Sequence, residues 1–236
     1  MVAFLDKYNI AYFGVHKAAG TSIKHVLYKI ETGNEWDGKI TELHPRYPTR
    51  PVRQSDFEKA RDYWSFAVVR DPIKRFLSGY QNRVHDFEDL KKVPVGSEHQ
   101  NKLIGKLFGM RNQQPFKGFK TNPTIEEFIR DYDKYCDVSR VMYLHTCPID
   151  VFLGQDIGFF DAVYTTSELD RLAADLSERL NTTVHIGRRN SSSTTPPRFE
   201  DLSKESKDFL VRHTQADYEL LGAFFPTGQN LINTYE

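Results

Sequence analysis

Residues 10–31, IAYFGVHKAAGTSIKHVLYKIE, carry the pattern from which the fold is read. Ile10, Tyr12, Phe13 and Val15 form a short apolar run bounded by polar residues, with the aromatic content of a buried strand. Ile23, Val26, Leu27 and Ile30 recur at i, i+3, i+4 and i+7, which is one face of an amphipathic helix. Between them lies Gly14-Val15-His16-Lys17-Ala18-Ala19-Gly20-Thr21-Ser22. A turn of this composition aims backbone N–H groups, a positive helix end, two hydroxyls and a lysine at one point, which suits a phosphate or sulfate. It is not a Walker-type ATP–magnesium loop, which needs a lysine directly after its second glycine and then Ser or Thr. Here Gly20 is followed by Thr21, and the lysine stands three positions ahead. Taken alone, the same residues also fit an ordinary strand–turn–helix with a solvated lysine.

A second unit of the same kind follows. Tyr63 to Arg70, YWSFAVVR, is apolar and aromatic throughout, as expected of a strand buried on both faces of a parallel sheet. Asp71 suits a helix N-cap and Pro72 the first helical position. Ile73, Phe76, Leu77 and Tyr80 then give a helical apolar face, with Lys74 and Ser78 sharing another. Ligands of open α/β sheets bind outside the carboxyl ends of the strands. Lys17 follows one strand and Arg70 closes another, so both cations are expected at one sheet edge. The fold class is therefore α/β, a central parallel sheet flanked by helices, with residues 1–236 as one domain.

Composition narrows the function. The chain has 236 residues and a formal net charge of zero, enough for a substantial core and without a global field for nucleic acid or anionic membrane. Anion binding must come from local clusters. The two cysteines, Cys136 and Cys147, form no CxxC pair and no metal-ligand spacing, although a single bridge between them is left open. No metal site is expected. The N-terminus lacks the pattern of a signal peptide and no run reaches the length of a membrane span, so a soluble, cytoplasmic protein is expected. The sequons at Asn181 and Asn190 matter only in a secretory setting.

The remaining segments are read in order. Thr32 to Arg61, broken by glycines and prolines, is expected to be a long loop; within it HPRYPTRPVR (44–53) carries Arg46, Arg50 and Arg53 and no carboxylate. It reads either as a stiff surface loop or as a lip over the anion site. Asp86 to Asn122 is expected to be helical pieces and loops. Thr124-Ile125-Glu126-Glu127 is a capping box opening a helix with Ile125, Phe128, Ile129 and Tyr132 inward. Phe159 to Thr165 is the third strand, Thr166 or Ser167 caps the helix that follows, and Leu169, Leu172, Ala173, Leu176 and Leu180 make its core stripe. Val184 to Ile186 is a candidate short strand. Arg188-Arg189-Asn190 and the hydroxyls after it read as a linker or as a phosphate-gripping flap. Ser203 to Phe224 is the last helix, with His213 structural or on the surface.

With these loops assembled, the chain resembles sulfotransferases that use 3′-phosphoadenosine 5′-phosphosulfate (PAPS), and within them the carbohydrate branch that includes heparan sulfate 2-O- and chondroitin sulfotransferases. HKAAGTS (16–22) is similar to the family's 5′-phosphosulfate loop, PKxGxTS, and VVRDPIKRFLSGY (68–80) to its 3′-phosphate motif, RDPxxRxxSxY. RRNSSS (188–193) resembles the late PAPS-contacting segment more loosely. His16 stands where the family usually has proline, and Ala19 where it often has glycine or cysteine; neither change removes a donor.

The resemblance implies a P-loop-like fold, PAPS as donor, 3′,5′-adenosine bisphosphate (PAP) as product, and no metal. It implies that Lys17 stabilises the leaving group, that Lys17, Ala18, Ala19, Gly20, Thr21 and Ser22 hold the 5′-phosphate, that Arg70 and Ser78 hold the 3′-phosphate, and that Arg188, Arg189 and Asn190 close over the nucleotide. The acceptor would be a hydroxyl of a glycan or glycolipid, activated by a general base between the two phosphate motifs. His44 is the candidate, ahead of Glu42, with Glu31 and Glu35 behind. A P-loop nucleotide kinase and a non-catalytic nucleotide-binding protein are the alternatives.

Overall fold

The computed structural model describes residues 2–93, 117–187, 195–226 and 228. Strands β1 (Val2–Leu5), β2 (Ile10–Phe13), β3 (Trp64–Val69) and β4 (Ala162–Thr165) form one sheet in the order β1-β2-β3-β4. β2, β3 and β4 run parallel, with Phe13 opposite Ala67 and Val69 opposite Thr165. β1 is antiparallel to β2, with Leu5 opposite Ile10, so the expected parallel sheet is in fact mixed. The cause is local. Asp6–Tyr8 makes a single 3-10 turn and Asn9 takes a left-handed conformation (φ 50°), reversing the chain in a span far too short for a parallel crossover. β4 is shorter than expected, because Ile157–Phe159 forms a separate 3-10 turn.

The helices, in chain order, are α1 (Gly20–Thr32), α2 (Ile40–Arg46), α3 (Gln54–Ala60), α4 (Pro72–Tyr80), α5 (Ile125–Arg130), α6 (Tyr132–Val138), α7 (Arg140–Thr146), α8 (Asp150–Leu153), α9 (Leu169–Leu180) and α10 (Lys204–Leu221). They and the sheet divide between two compact units. The first draws on the described residues of Met1–Asp71, Pro148–Ser191 and Ala216–Gly228, and the second on those of Pro72–Cys147, Ser192–Gln215 and Gln229–Glu236.

The first unit holds the sheet. Tyr12 and Phe66, neighbours across the parallel β2–β3 pair, stack with centroids 5.0 Å apart and pack with Ile23 and Leu27 of α1 and Leu172 and Leu176 of α9. Phe13 meets Phe57, Phe159 and Phe160. Every residue of β2 is buried, which is why its sequence reads as a continuous apolar run. Residues 32–61 are not the long loop expected from their prolines and glycines: they contain α2 and α3. Leu43 of α2 is fully buried in the core, worth about 2 kcal/mol for a leucine. Arg50 and Asp56 then pair in two hydrogen bonds of 2.7 Å across the turn before α3. Neither Thr166 nor Ser167 caps α9. Glu168 does the local work instead, its carboxylate accepting the Thr165 N–H at 2.8 Å. Val184 to Ile186 forms no strand.

The second unit is helical. α4 buries all its residues except Lys74. A Cβ on Gly79 would collide with the His145 carbonyl oxygen, so glycine here permits close contact between α4 and α7. Arg75, almost wholly buried, donates to the Cys147 carbonyl beyond the end of α7. The expected capping box is present: Thr124 Oγ1 accepts from Glu127 N–H at 3.3 Å and the Glu127 carboxylate accepts from Thr124 N–H at 3.0 Å. The helix it opens breaks at Asp131, giving α5 and α6 in place of one element. His213 stacks on Phe209 and lies 2.9 Å through Nε2 from the Thr146 carbonyl, a structural histidine whose burial lowers its pKa. Cys136 and Cys147 are free thiols, so the bridge left open does not form. No helix among the described residues is long and apolar enough to cross a membrane.

Candidate functional site

The β2–α1 turn is built on strained backbone. Lys17 (φ 65°) and Ala19 (φ 56°) are two of the five non-glycine residues with positive φ among those described. The left-handed region costs such residues about 1–2 kcal/mol each. Between them Ala18 is fully buried, which anchors the turn and lets the surrounding packing hold the strain. The first hydrogen bond of α1 runs from Ile23 N–H to the Ala19 carbonyl at 3.2 Å. The N–H groups of Gly20, Thr21 and Ser22 therefore lie ahead of the helical ladder. No acidic residue occupies the first turn, and the N-cap residue, Ala19, has no polar side chain to cap it. The end is left positive.

Gly20 opens α1. Its φ is not positive, and a Cβ built on it would meet only the Val15 carbonyl oxygen, at an ordinary 3.8 Å. Neither conformation nor packing in the protein requires glycine there. His16 packs edge-on against Phe152 of α8, centroids 5.4 Å apart.

Parallel pairing of β2 and β3 puts the β2–α1 turn and Arg70 at the same sheet edge, and an Arg70 Nη1 contact of 3.4 Å to the Lys17 carbonyl joins them. Asp71, next to Arg70, accepts from Tyr218 O–H at 2.8 Å. Ser78 lies in α4 and is buried. Arg188, Arg189 and Asn190 lie outside the described residues.

The base candidates separate on their contacts. Glu31 accepts Tyr47 O–H at 2.5 Å and Arg46 Nη2 at 3.0 Å, which hold its carboxyl below the usual carboxylate range. Glu35 is paired with Lys29 at 2.7 Å. Glu42 lies exposed in the first turn of α2. His44 is exposed on α2, and its Nδ1 is 2.9 Å from Lys24 Nζ. Lys24 was not singled out in the sequence, where a lysine on an amphipathic helix reads as solvated. It is only 3 % exposed, donates to Thr49 Oγ1 at 3.2 Å, and burial lowers its pKa to about 8. The arginines of the 44–53 lip are less available than the sequence implied. Arg46 faces Glu31 and Arg50 faces Asp56, carboxylates from outside and beyond the lip. Among the described residues no three His, Cys, Asp or Glu side chains cluster as a metal site would require.

The site therefore offers an anion-shaped backbone turn, a lysine within it, an arginine against it, and a histidine on a neighbouring helix of the same unit. No curated protein and no solved structure matches the chain. The sulfotransferase family matches it over residues 2–222, which takes in residues 16–22, residues 68–80 and every strand and helix named above, and sets aside the nucleotide-kinase alternative. The chain belongs to the sulfotransferase family.

Proposed function

We propose that the protein transfers a sulfuryl group from PAPS to a hydroxyl of a carbohydrate acceptor. The observation that carries the donor assignment is the acid-free end of a 13-residue helix behind a turn that Arg70 touches. With Lys17 and Arg70 beside it, the donor set is cationic and N–H-rich, matching a phosphosulfate. When bound, PAPS supplies an activated sulfuryl group on a phosphate leaving group. The N–H groups of Gly20, Thr21 and Ser22 and the two hydroxyls orient the 5′-phosphate. Lys17 neutralises the charge that develops there, and Arg70 and Ser78 take the 3′-phosphate. Arg188, Arg189 and Asn190 complete the nucleotide contacts in this reading. His44 accepts the acceptor's hydroxyl proton as the new S–O bond forms, so that positioning and charge stabilisation supply most of the catalysis. Glu42 is the second candidate base. The acceptor is a glycan or glycolipid, and the pairing of Arg46 and Arg50 with carboxylates supports a neutral acceptor over a highly sulfated one.

Transfer of radiolabelled sulfate from PAPS to a panel of glycans tests the activity directly. His44→Ala is expected to lose turnover while PAP still raises the melting temperature in magnesium-free buffer. Absence of any PAP-induced stabilisation overturns the donor assignment, and full turnover in His44→Ala overturns the base.

A further inference from the structure

Lys24 has no role in the reading above, yet it is an expensive residue to keep. Its side chain runs from α1 into the space under α2, where its Nζ meets His44 Nδ1 at 2.9 Å and Thr49 Oγ1 at 3.2 Å. A methionine or leucine would fill the same volume without a charge to desolvate. The groups around it are few. α2 presents His44, while its Arg46 is turned to Glu31; the segment after α2 presents Thr49, while Arg50 is turned to Asp56. Burial alone accounts for the lowered pKa, with no carboxylate contributing to hold the charge.

An ammonium has donors only, so a protonated Lys24 forces Nδ1 of His44 to be the accepting nitrogen. A neutral imidazole whose Nδ1 accepts carries its proton on Nε2. In that tautomer the exposed side of the ring is a donor and cannot take a proton from an alcohol. Once the pair has lost its proton, the Lys24 amine carries a lone pair that can accept from Nδ1–H. Nε2 then bears the lone pair that general-base chemistry requires. When Nε2 takes the acceptor's proton, the Nδ1 proton passes to the Lys24 amine, leaving an ammonium and a neutral ring. One proton enters at Nε2 and one leaves at Nδ1, so the charge ends on the lysine.

We infer that Lys24 is a positioning residue that sets the tautomer of His44 and thereby gates its use as the base. This rests on His44 being the base, as proposed above, and concerns a residue that touches neither donor nor acceptor. The two claims come apart experimentally. Nitrogen-edited NMR of the His44 ring, in the full-length chain without substrate, reads the tautomer independently of turnover. In the wild type at pH 7 the ring is expected to show a bare, accepting Nδ1 and a protonated Nε2. That pattern is expected to invert as pH rises through about 8. In Lys24→Met the inversion is expected to disappear, and the rising limb of kcat against pH to move to lower pH.

A His44 ring that titrates identically in wild type and Lys24→Met overturns the inference. So does a protonated Nδ1 in the wild type at pH 7, a measurement that needs no variant to fold. An unshifted kcat profile in Lys24→Met, with His44→Ala inactive, also overturns it. If the ring responds to Lys24 as expected but His44→Ala retains turnover, the tautomer assignment stands and the base assignment falls.

Discussion

Replacing Lys24 by methionine is expected to stabilise the protein at neutral pH. The folded chain holds the Lys24 proton with a pKa of about 8, against an ordinary 10.5. At about 1.4 kcal/mol per pH unit, keeping that ammonium buried costs the folded state about 3 kcal/mol at pH 7. Methionine removes the cost and loses the contacts to His44 and Thr49, each worth roughly 1 kcal/mol. Because His44 is exposed and water can replace the lysine there, we expect a net gain of about 2 kcal/mol. The pH dependence distinguishes this cause from better packing. Between pH 8 and 10.5 the unfolded wild-type chain binds more protons than the folded one, so wild-type stability rises across that window. The advantage of Lys24→Met should therefore be full below pH 8, fall by about 3 kcal/mol across the window and end as a deficit of about 1 kcal/mol by about pH 10.5. Urea unfolding of both proteins at pH 7, 8.5 and 10 measures it. A variant less stable at all three, or a difference that does not change with pH, refutes the reasoning.

Gly20→Ala is expected to leave urea stability unchanged or raise it by up to about 1 kcal/mol, from helix propensity, with the PAP-induced thermal shift kept. Lys17→Ala should lower kcat by a larger factor than it weakens PAP binding by calorimetry, because its charge matters most when the leaving group forms. His213 is buried neutral, so the unfolded state takes up its proton first and stability should fall as pH drops below about 6.5. His213→Gln should flatten that slope in urea titrations between pH 7.5 and 5.5.

Much of this was legible because the informative segments are locally self-consistent. The turn between Ile10 and Glu31 announces itself through a buried strand, a Gly/Lys turn and a clean helical face. The same holds for residues 63–80. What escaped the sequence is what depends on distant contacts. α2 and α3 are seven residues each, too short for a periodic signal, and Pro45 sits inside α2. They persist because Leu43 reaches the core and the Arg50–Asp56 pair braces the turn, neither of which has a local signature. Lys24 escaped for the same reason: its burial exists only once α2 is laid over α1. β1 escaped because four residues, VAFL, are too few to carry a strand signal of their own, and only the turn with a left-handed Asn9 brings them alongside β2.

That first strand has a practical consequence for anyone trimming or tagging the protein. β2 is buried along its whole length and pairs with β1 on one side and β3 on the other. Deleting residues 2–9 would convert it into an open edge whose side chains are Ile10, Ala11, Tyr12 and Phe13, with no charge, proline or bulge to discourage pairing with another copy. Such an edge is a template for intermolecular sheet growth. A shortened protein that precipitates would thus report a lost neighbour for β2, a failure that added salt or a solubility tag cannot mend but a supplied VAFL strand can.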